Sequence, residues 1–324
     1  MREFAFELRL CAHLEAASDS VVARQLGTAV HDPGGRIVDV VHVKPGPAFD
    51  ARTDLTPDEI PVAVLEADVG VGRWRRVTDA FDGPAERARR LADAGVEAGF
   101  LERTRRGGHD VVRQATRYPE GWFDSLVGIE NKPDLGEPGA LEAQLRHDVS
   151  LGVLDEVVLA TESYVTGAHL NRIPEEVGVW SVDFDREDPV EVVREATPLD
   201  AAGPGVEVLD SHPLRTDVRV ASAESKARQR RRVAERAYGK GWRTYDLPAC
   251  ERAETDSESG TDGLPHCAWK GRLVDAAAEC GPDCPGYAES DAPDVDLDAE
   301  RARRTAWNPD PGGAARRQAG LDDF

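Results

Sequence analysis

From Glu3 to Glu15 the apolar residues Phe4, Leu8, Cys11 and Leu14 recur at helical spacing, with Phe6 and Leu10 beside them. The spacing predicts an amphipathic first helix. Val21 to Val30 and Arg36 to Val43 are β-rich runs separated by His31-Asp32-Pro33-Gly34-Gly35, and they read as a hairpin. Pro45-Gly46-Pro47 ends the second run and marks a domain boundary. Thr56, a natural N-cap before Pro57-Asp58-Glu59, opens a short helix through Val62, Val64 and Leu65. A basic segment around Trp74 to Phe81 and a stronger helix from Pro84 to Phe100 come next. Leu101 to Arg105 and Asp110 to Tyr118 then form a second hairpin around Arg106-Gly107-Gly108-His109. Further on, Leu126 to Lys132 reads as a strand, Pro133 to Gly139 as a loop and Ala140 to Leu151 as a helix. Leu154 to Thr161 and Val177 to Phe184 are buried-type strands. Beyond Asp185 the periodicity weakens. Lys226 to Lys240 is a basic helix, Glu251 to Gly263 an acidic, Ser- and Gly-rich mobile link, and Asp291 to Phe324 a polar, loosely packed tail.

The chain has 324 residues, a length that suggests two or three domains, and at 40% hydrophobic it can build a packed core. No run approaches the roughly 20 apolar residues of a membrane span. Met1 is followed directly by the amphipathic stretch, without the pattern of a secretory signal, so the expected compartment is the cytoplasm. The 40 basic residues face 61 acidic ones, for a net charge of −21, and only five of the 40 are lysines. This usage resembles that of cytoplasmic proteins of salt-loving archaea. Against the acidic background two windows stand out: Arg73 to Arg117 carries a net of +4 and Lys226 to Arg243 a net of +7. Two such windows point to a polyanionic partner, because binding to nucleic acid depends on local charge. His13, His42 and His109 share no ligand spacing, and neither a Gly-x-Ser-x-Gly elbow nor a phosphate-loop glycine pattern occurs. Serine-hydrolase and P-loop chemistry are unsupported.

Gly128-Ile129-Glu130-Asn131-Lys132 carries the strongest chemical signal. On a strand Glu130 and Lys132 share one face, just before a helix. A carboxylate there can hold a divalent metal, and the lysine can orient the attacking water and stabilise charge on a phosphate, which suggests hydrolysis of a phosphodiester. The second metal acid is Asp39 or Asp124. Asp124 precedes Glu130 by six residues, roughly 20 Å along a continuous strand, and serves only if a turn intervenes. Asp39 lies on the apolar face shared by Ile37, Val41 and Val43, where an acid without a partner is costly. If the two strands are neighbours, Asp39 stands beside Glu130.

A helix, hairpin strands with Asp on the second, a strand with Glu-x-Lys, a helix and a buried strand together resemble the core of the PD-(D/E)XK, restriction-endonuclease-like or RecB-like, nuclease superfamily. That resemblance implies an α/β core (αβββαβ) over 1–45 and 119–190, and a catalytic set of Asp39 (or Asp124), Glu130 and Lys132 with Mg²⁺ or Mn²⁺ held by Asp39 and Glu130. It adds Glu7, or with less support Glu15, as an assisting acid on the first helix, and Gln144 on the helix after the Glu-x-Lys strand. No Pro-Asp pair precedes Glu130, and Asp39 lies far upstream of it, which are departures from the usual motif. The intervening 55–118 resembles a winged helix-turn-helix, with Arg87, Arg89 and Arg90 on its third helix and Arg105 and Arg106 at the hairpin tip as contacts to duplex DNA. The implied function is metal-dependent cleavage of DNA in repair, defence or replication. The alternative is a catalytically inactive DNA-binding or regulatory protein that uses the insertion alone.

Residues 191–290 hold the basic helix and four of the five cysteines, and 291–324 form the tail. Cys250, Cys267, Cys280 and Cys284 fall in a region poor in apolar residues, where a tetrahedral zinc ion would supply the missing cross-links. The resemblance to RecB-like nucleases offers a second set, Cys11 with Cys267, Cys280 and Cys284 around an iron–sulfur cluster.

Overall fold

The computed structural model describes residues 2–31, 35–53, 61–65, 67, 69–70, 74–115, 121–136, 139–212, 214–255 and 263–307. The first helix, α1 (Glu3–Ala17), buries Ala5, Phe6, Leu8, Leu10, Cys11 and Leu14. The hairpin follows as β1 (Val21–Gly27) and β2 (Ile37–Pro45), antiparallel with Arg24 opposite Val40. After β2 the chain makes α2 (Phe49–Thr53), α3 (Val62–Leu65), β3 (Arg75–Arg76), α4 (Val77–Ala80), α5 (Ala85–Glu97), β4 (Leu101–Arg106) and β5 (His109–Gln114). It then returns through β6 (Phe123–Asn131) to α6 (Leu141–Leu151), β7 (Glu156–Thr161), α7 (Gly167–Leu170), β8 (Gly178–Val182) and β9 (Val190–Arg194). A two-stranded ribbon, β10 (Gly205–His212) and β11 (Arg215–Ala221), leads into α8 (Ala223–Lys240). Short elements close the described chain: β12 (Ala253–Glu254), β13 (His266–Cys267), β14 (Arg272–Leu273), α9 (Ala276–Glu279) and α10 (Leu297–Arg304).

The main sheet is mixed, in the order β1-β2-β6-β7-β8-β9. The β2–β6 pair is antiparallel, whereas β6–β7 and β7–β8 are parallel. The α6 crossover fits that switch, since parallel neighbours require a long connection. Alternation along β6 and β7 splits the core. Leu126, Val157 and Leu159 face Leu145 of α6 and Val233, Ala237 and Tyr238 of α8, while Val127, Ile129, Val158 and Ala160 face Phe6, Leu10 and Cys11 of α1. The fold is thus α/β, with helices on both faces of the sheet. Because α8 fills the first of these clusters, the core draws on residues both before and after 190. Trp242, Tyr245, Leu264 and Leu273 join the α1 side, so the cysteine-bearing region packs on that face. At Gly128 an added Cβ would lie 2.3 Å from the Leu154 side chain, so only glycine lets that leucine close over the strand.

Residues between β2 and β6 have a core of their own, built from Val64, Val77, Phe81, Ala88, Ala92, Phe100, Leu101 and Val112 around a sheet of order β3-β5-β4. The chain leaves and re-enters the main sheet at one point. Pro45 pairs with Phe123, and the Gly46 and Ala48 amides donate to the carbonyls of Trp122 (2.9 Å) and Gly121 (3.1 Å). Arg52 of α2 pins this neck to α8 through Glu235 (2.8 Å) and lies over the Tyr238 ring.

Most expected elements fall within a few residues of their predicted places. The strand expected from Leu126 begins at Phe123, and the segment beyond Asp185 yields an edge strand and a ribbon. The helix expected from Thr56 and the acidic link lie partly outside the described residues, at 54–60 and 256–262, as does the tail from 308. Within the part of the tail that is described, Leu297–Arg304 is a helix whose buried Arg301 donates to the Gly239 carbonyl at 2.9 Å. It is therefore more closely packed than its polarity suggested, because a guanidinium can cap the end of α8.

Candidate active site

The ends of β2 and β6 bring Asp39 and Glu130 together. The register pairs Val40 with Ile129, so one step further along the ladder Asp39 meets Glu130. An Asp39 carboxylate oxygen accepts the Asn131 amide at 2.9 Å, and the other accepts from the Gln25 amide at 3.3 Å. Gln25 also donates to Glu7 at 3.0 Å, and Arg24 Nε donates to the same carboxylate at 2.5 Å. Gln25 has φ 55°, in the left-handed region that side chains seldom adopt. This strain places its amide between the acid of α1 and the acid of β2.

On the other side of Asp39, Arg36 is buried between two carboxylates. Its guanidinium donates to Asp148 of α6 at 3.0 Å through Nε and 2.5 Å through Nη2, and to Glu130 through Nη2. Four carboxyls, those of Glu7, Asp39, Glu130 and Asp148, therefore lie around two arginines, Arg24 and Arg36. The titration of the cluster follows. Burial pushes the Glu130 carboxyl up to about 8, with the Asp39 charge adding to it and Arg36 opposing it. Burial also raises Glu7, against Arg24, and Asp148, against Arg36. Arg36 itself is driven above its ordinary range, because its two carboxylates outweigh the cost of its burial. The guanidinium stays charged, held by Asp148 through Nε and Nη2, and Glu130 keeps its proton at neutral pH until a further cation stabilises its anion.

Lys132 lies one residue past β6, with its amide on the Ala160 carbonyl at 2.9 Å, so the β6–β7 ladder runs on through it. Its half-buried side chain has no ion-pair partner among the described residues. Asp124 is exposed in the same unbroken strand as Glu130, and no turn brings it back. Glu15 is spent elsewhere, on Trp242 (2.8 Å) and Arg243 (2.5 Å). Gln144 is half-buried on α6. The acid one turn further on, Asp148, makes the contact to the site.

Arg36, Asp148, Arg24 and Gln25 belong to the cluster but carried no motif. For Asp148 a signal existed: it interrupts the apolar stripe Leu141, Leu145, Leu151 of α6 as an acid at a buried position. Arg36, a charged residue at a strand start, had no such mark.

The basic windows divide. Lys226 to Arg243 is largely structural: Lys226 donates to the Asp200 carbonyl (2.7 Å), Arg228 pairs with Glu224, Arg230 with Asp155 (2.8 Å) and Arg243 with Glu15. Lys226, Arg230 and Arg243 thus tie α8 to the rest of the chain, while Arg228 pairs within the helix and Arg231 is exposed. In the insertion Arg103 pairs with Asp93 and Asp110, and Arg113 with Glu102. Arg87, Arg89, Arg90, Arg105 and Arg106 are exposed; Arg87 donates to the Asp82 carbonyl at 2.6 Å, and Arg106 lies over the Trp74 ring.

All five cysteines are free thiols. Cys11 is buried inside the α1 face with Glu7, Arg24, Glu15 and Arg243 as its charged neighbours. Among the described residues no group of three or more His, Cys, Asp or Glu side chains stands arranged to hold a metal ion.

Residues 21–289, which span the main sheet, the insertion and the cysteine region, match one protein family. The chain belongs to DUF5787. That family is described as one of unknown function. No curated protein and no solved structure matches this DUF5787 chain. No helix among its described residues is long and apolar enough to cross a membrane.

Proposed function

We propose that the protein is a metal-dependent nuclease that acts on duplex DNA, with Asp39, Glu130 and Lys132 at its centre and Glu7 in support. The observation that carries this reading is the cluster of four carboxyls and two arginines at the ends of β2 and β6, in which Glu130 is raised to about 8. A divalent cation that displaces the Glu130 proton suits such a set, and Mg²⁺ is commonly held by only one or two carboxylates together with substrate phosphates. Asp39 and Glu130 would hold it. Bound there, it would supply a Lewis acid for a phosphoryl oxygen and a lowered pKa for water. The chain's own residues do the rest. Gln25 and the Asn131 amide fix the Asp39 carboxylate, Arg36 anchors Glu130 against α6, and Lys132 offers a positive charge to the phosphate.

The topology supports the same reading. The order α1, β1, β2, β6, α6, β7, with three antiparallel strands followed by a parallel one, is compatible with the αβββαβ core that the PD-(D/E)XK resemblance implies. The insertion, with strand order β3-β5-β4 and three helices before its hairpin, has the layout of a winged helix, and its exposed arginines suit phosphate contacts.

The test is divalent-dependent cleavage of linear and supercoiled DNA by the full chain, beside Glu130→Gln and Lys132→Ala. Loss of cleavage in both variants, with the far-UV spectrum retained, is expected. Undiminished cleavage in both would refute the site. One observation favours the alternative, a catalytically silent DNA-binding protein: Arg36 already places a cation between Glu130 and Asp148. Salt-dependent DNA binding with no cleavage in Mg²⁺ or Mn²⁺ would decide for it.

A further inference from the structure

The four cysteines after α8 lie in three separate stretches of chain, and backbone hydrogen bonds draw those stretches together. Cys267 sits on β13, paired on one side with Ala253 of β12 and on the other with Arg272 of β14. Cys250 is tied to the same strand set, since the Ala253 amide donates to its carbonyl at 2.9 Å. The segment that carries Cys280 and Cys284 then folds back: the Glu251 amide donates to the Ala288 carbonyl at 2.8 Å, and Cys250 bridges to Glu289. Glu279, next to Cys280, is held by Arg272 (2.5 Å) and Lys270 (3.1 Å), which places Cys280 over the β13–β14 turn. Trp269 from that turn packs on Gly286, two residues past Cys284. Each closure is local and polar.

Two further observations concern the sulfurs. The Cys250 Sγ accepts the backbone amides of Arg252 and Ala288, each at 3.5 Å. Such amide contacts fix the position of the sulfur, as outer contacts orient metal-ligating groups. The Cys280 thiol has Cys267, Cys250 and Cys284 as its sulfur neighbours, whereas the charged neighbours of Cys11 include no other cysteine.

We propose that Cys250, Cys267, Cys280 and Cys284 bind one structural zinc ion that locks the region after α8 onto the α1 face of the core. Each thiol releases its proton to solvent as its sulfur–zinc bond forms, so four neutral thiols and Zn²⁺ give a site of charge −2 and four protons. As the thiols stand they are neighbours without ligating geometry. Cys280 and Cys284, both half-buried, flank the short turn Gly281 to Asp283, and they are the ligands that move in. Thiolates in a four-sulfur set select zinc among hard and borderline divalent ions. Cys11 is excluded by position, which removes the one-plus-three cysteine set. This inference is independent of the nuclease reading.

The experiment is metal analysis of the full chain purified without chelator, followed by zinc release on titration with a thiol-reactive mercurial. About one zinc per chain is expected, freed as four thiols react. Cys280→Ser and Cys284→Ser should each lose most of the zinc, and Cys11→Ser should keep it. Should the serine variants fail to fold, the cobalt-substituted wild type still reports, through the thiolate-to-cobalt absorption of a tetrahedral sulfur site. Iron in place of zinc, a metal-free wild type, disulfides among the four cysteines, or zinc retained in both serine variants would overturn the proposal.

Discussion

Glu130 stores a pH-dependent strain that can be measured without any substrate. Its carboxyl titrates at about 8 in the folded protein against an ordinary value of 4.5. Between those values the folded state holds a proton that the unfolded state has released. The sign follows from linkage: the unfolded chain binds fewer protons, so unfolding becomes easier as pH rises from about 4.5 to about 8. At about 1.4 kcal/mol for each pH unit, the full window corresponds to on the order of 5 kcal/mol of lost stability. Glu130→Gln keeps the shape and removes the titration, so the variant should be the more stable protein above pH 8 and should lose most of this slope. His42 works in the opposite direction, because burial holds it down to about 4 and its contribution disappears as pH falls from about 6.5. It is present in both proteins and cancels in the comparison. The assay is urea denaturation from pH 4.5 to 9 at fixed ionic strength, with and without Mg²⁺. A divalent ion that displaces the Glu130 proton should flatten the wild-type slope and leave the variant unchanged. Parallel pH profiles for the two proteins would refute the raised titration of Glu130.

Arg36→Gln should destabilise the fold by about 3–5 kcal/mol, because Glu130 and Asp148 lose their buried counterion; equal midpoints in urea would show that the acids are satisfied without it. Asp39→Asn should abolish divalent-dependent cleavage while Asp124→Asn retains it, and the reverse result in a cleavage assay would displace Asp39 from the site. Substituting Arg87, Arg89, Arg90, Arg105 and Arg106 together should weaken duplex binding across sequences and reduce the slope of log K against log salt; an unchanged slope by fluorescence anisotropy would return the insertion to a solvated module. Gly128→Ala should cost about 1–3 kcal/mol, since its Cβ collides with Leu154, and thermal denaturation provides the check.

What the sequence disclosed and what it withheld follow from range of interaction. The first helix, its hairpin and the strand–helix–strand unit from Phe123 to Thr161 were legible because their periodicity is local. The apolar face around Asp39 raised the pairing of β2 with β6 as a question that local pattern could not answer, since Asp39 and its amide donor Asn131 lie 92 positions apart in the chain. Arg36 and Asp148 went unseen for the same reason: their meaning arises only when β2, β6 and α6 meet. The partners of the α8 basic window were hidden because charge counted along a chain does not reveal which cations reach back to acids such as Asp155 and Glu15.

The neck between Pro45 and Phe123 bears on how the molecule assembles. Before the insertion folds, β2 and β6 are the ends of a long loop, and closing it costs entropy that grows as the logarithm of loop length. Once the Val112 and Phe100 core has formed, Gly46 and Trp122 are adjacent, and the two strands can zip as a hairpin would from that end. Zipping starts at Pro45 and Phe123 and finishes at Val40 and Ile129. The carboxylates are therefore the last rung of the β2–β6 pair to form, while β7 holds the other edge of β6 through Asn131 and Lys132.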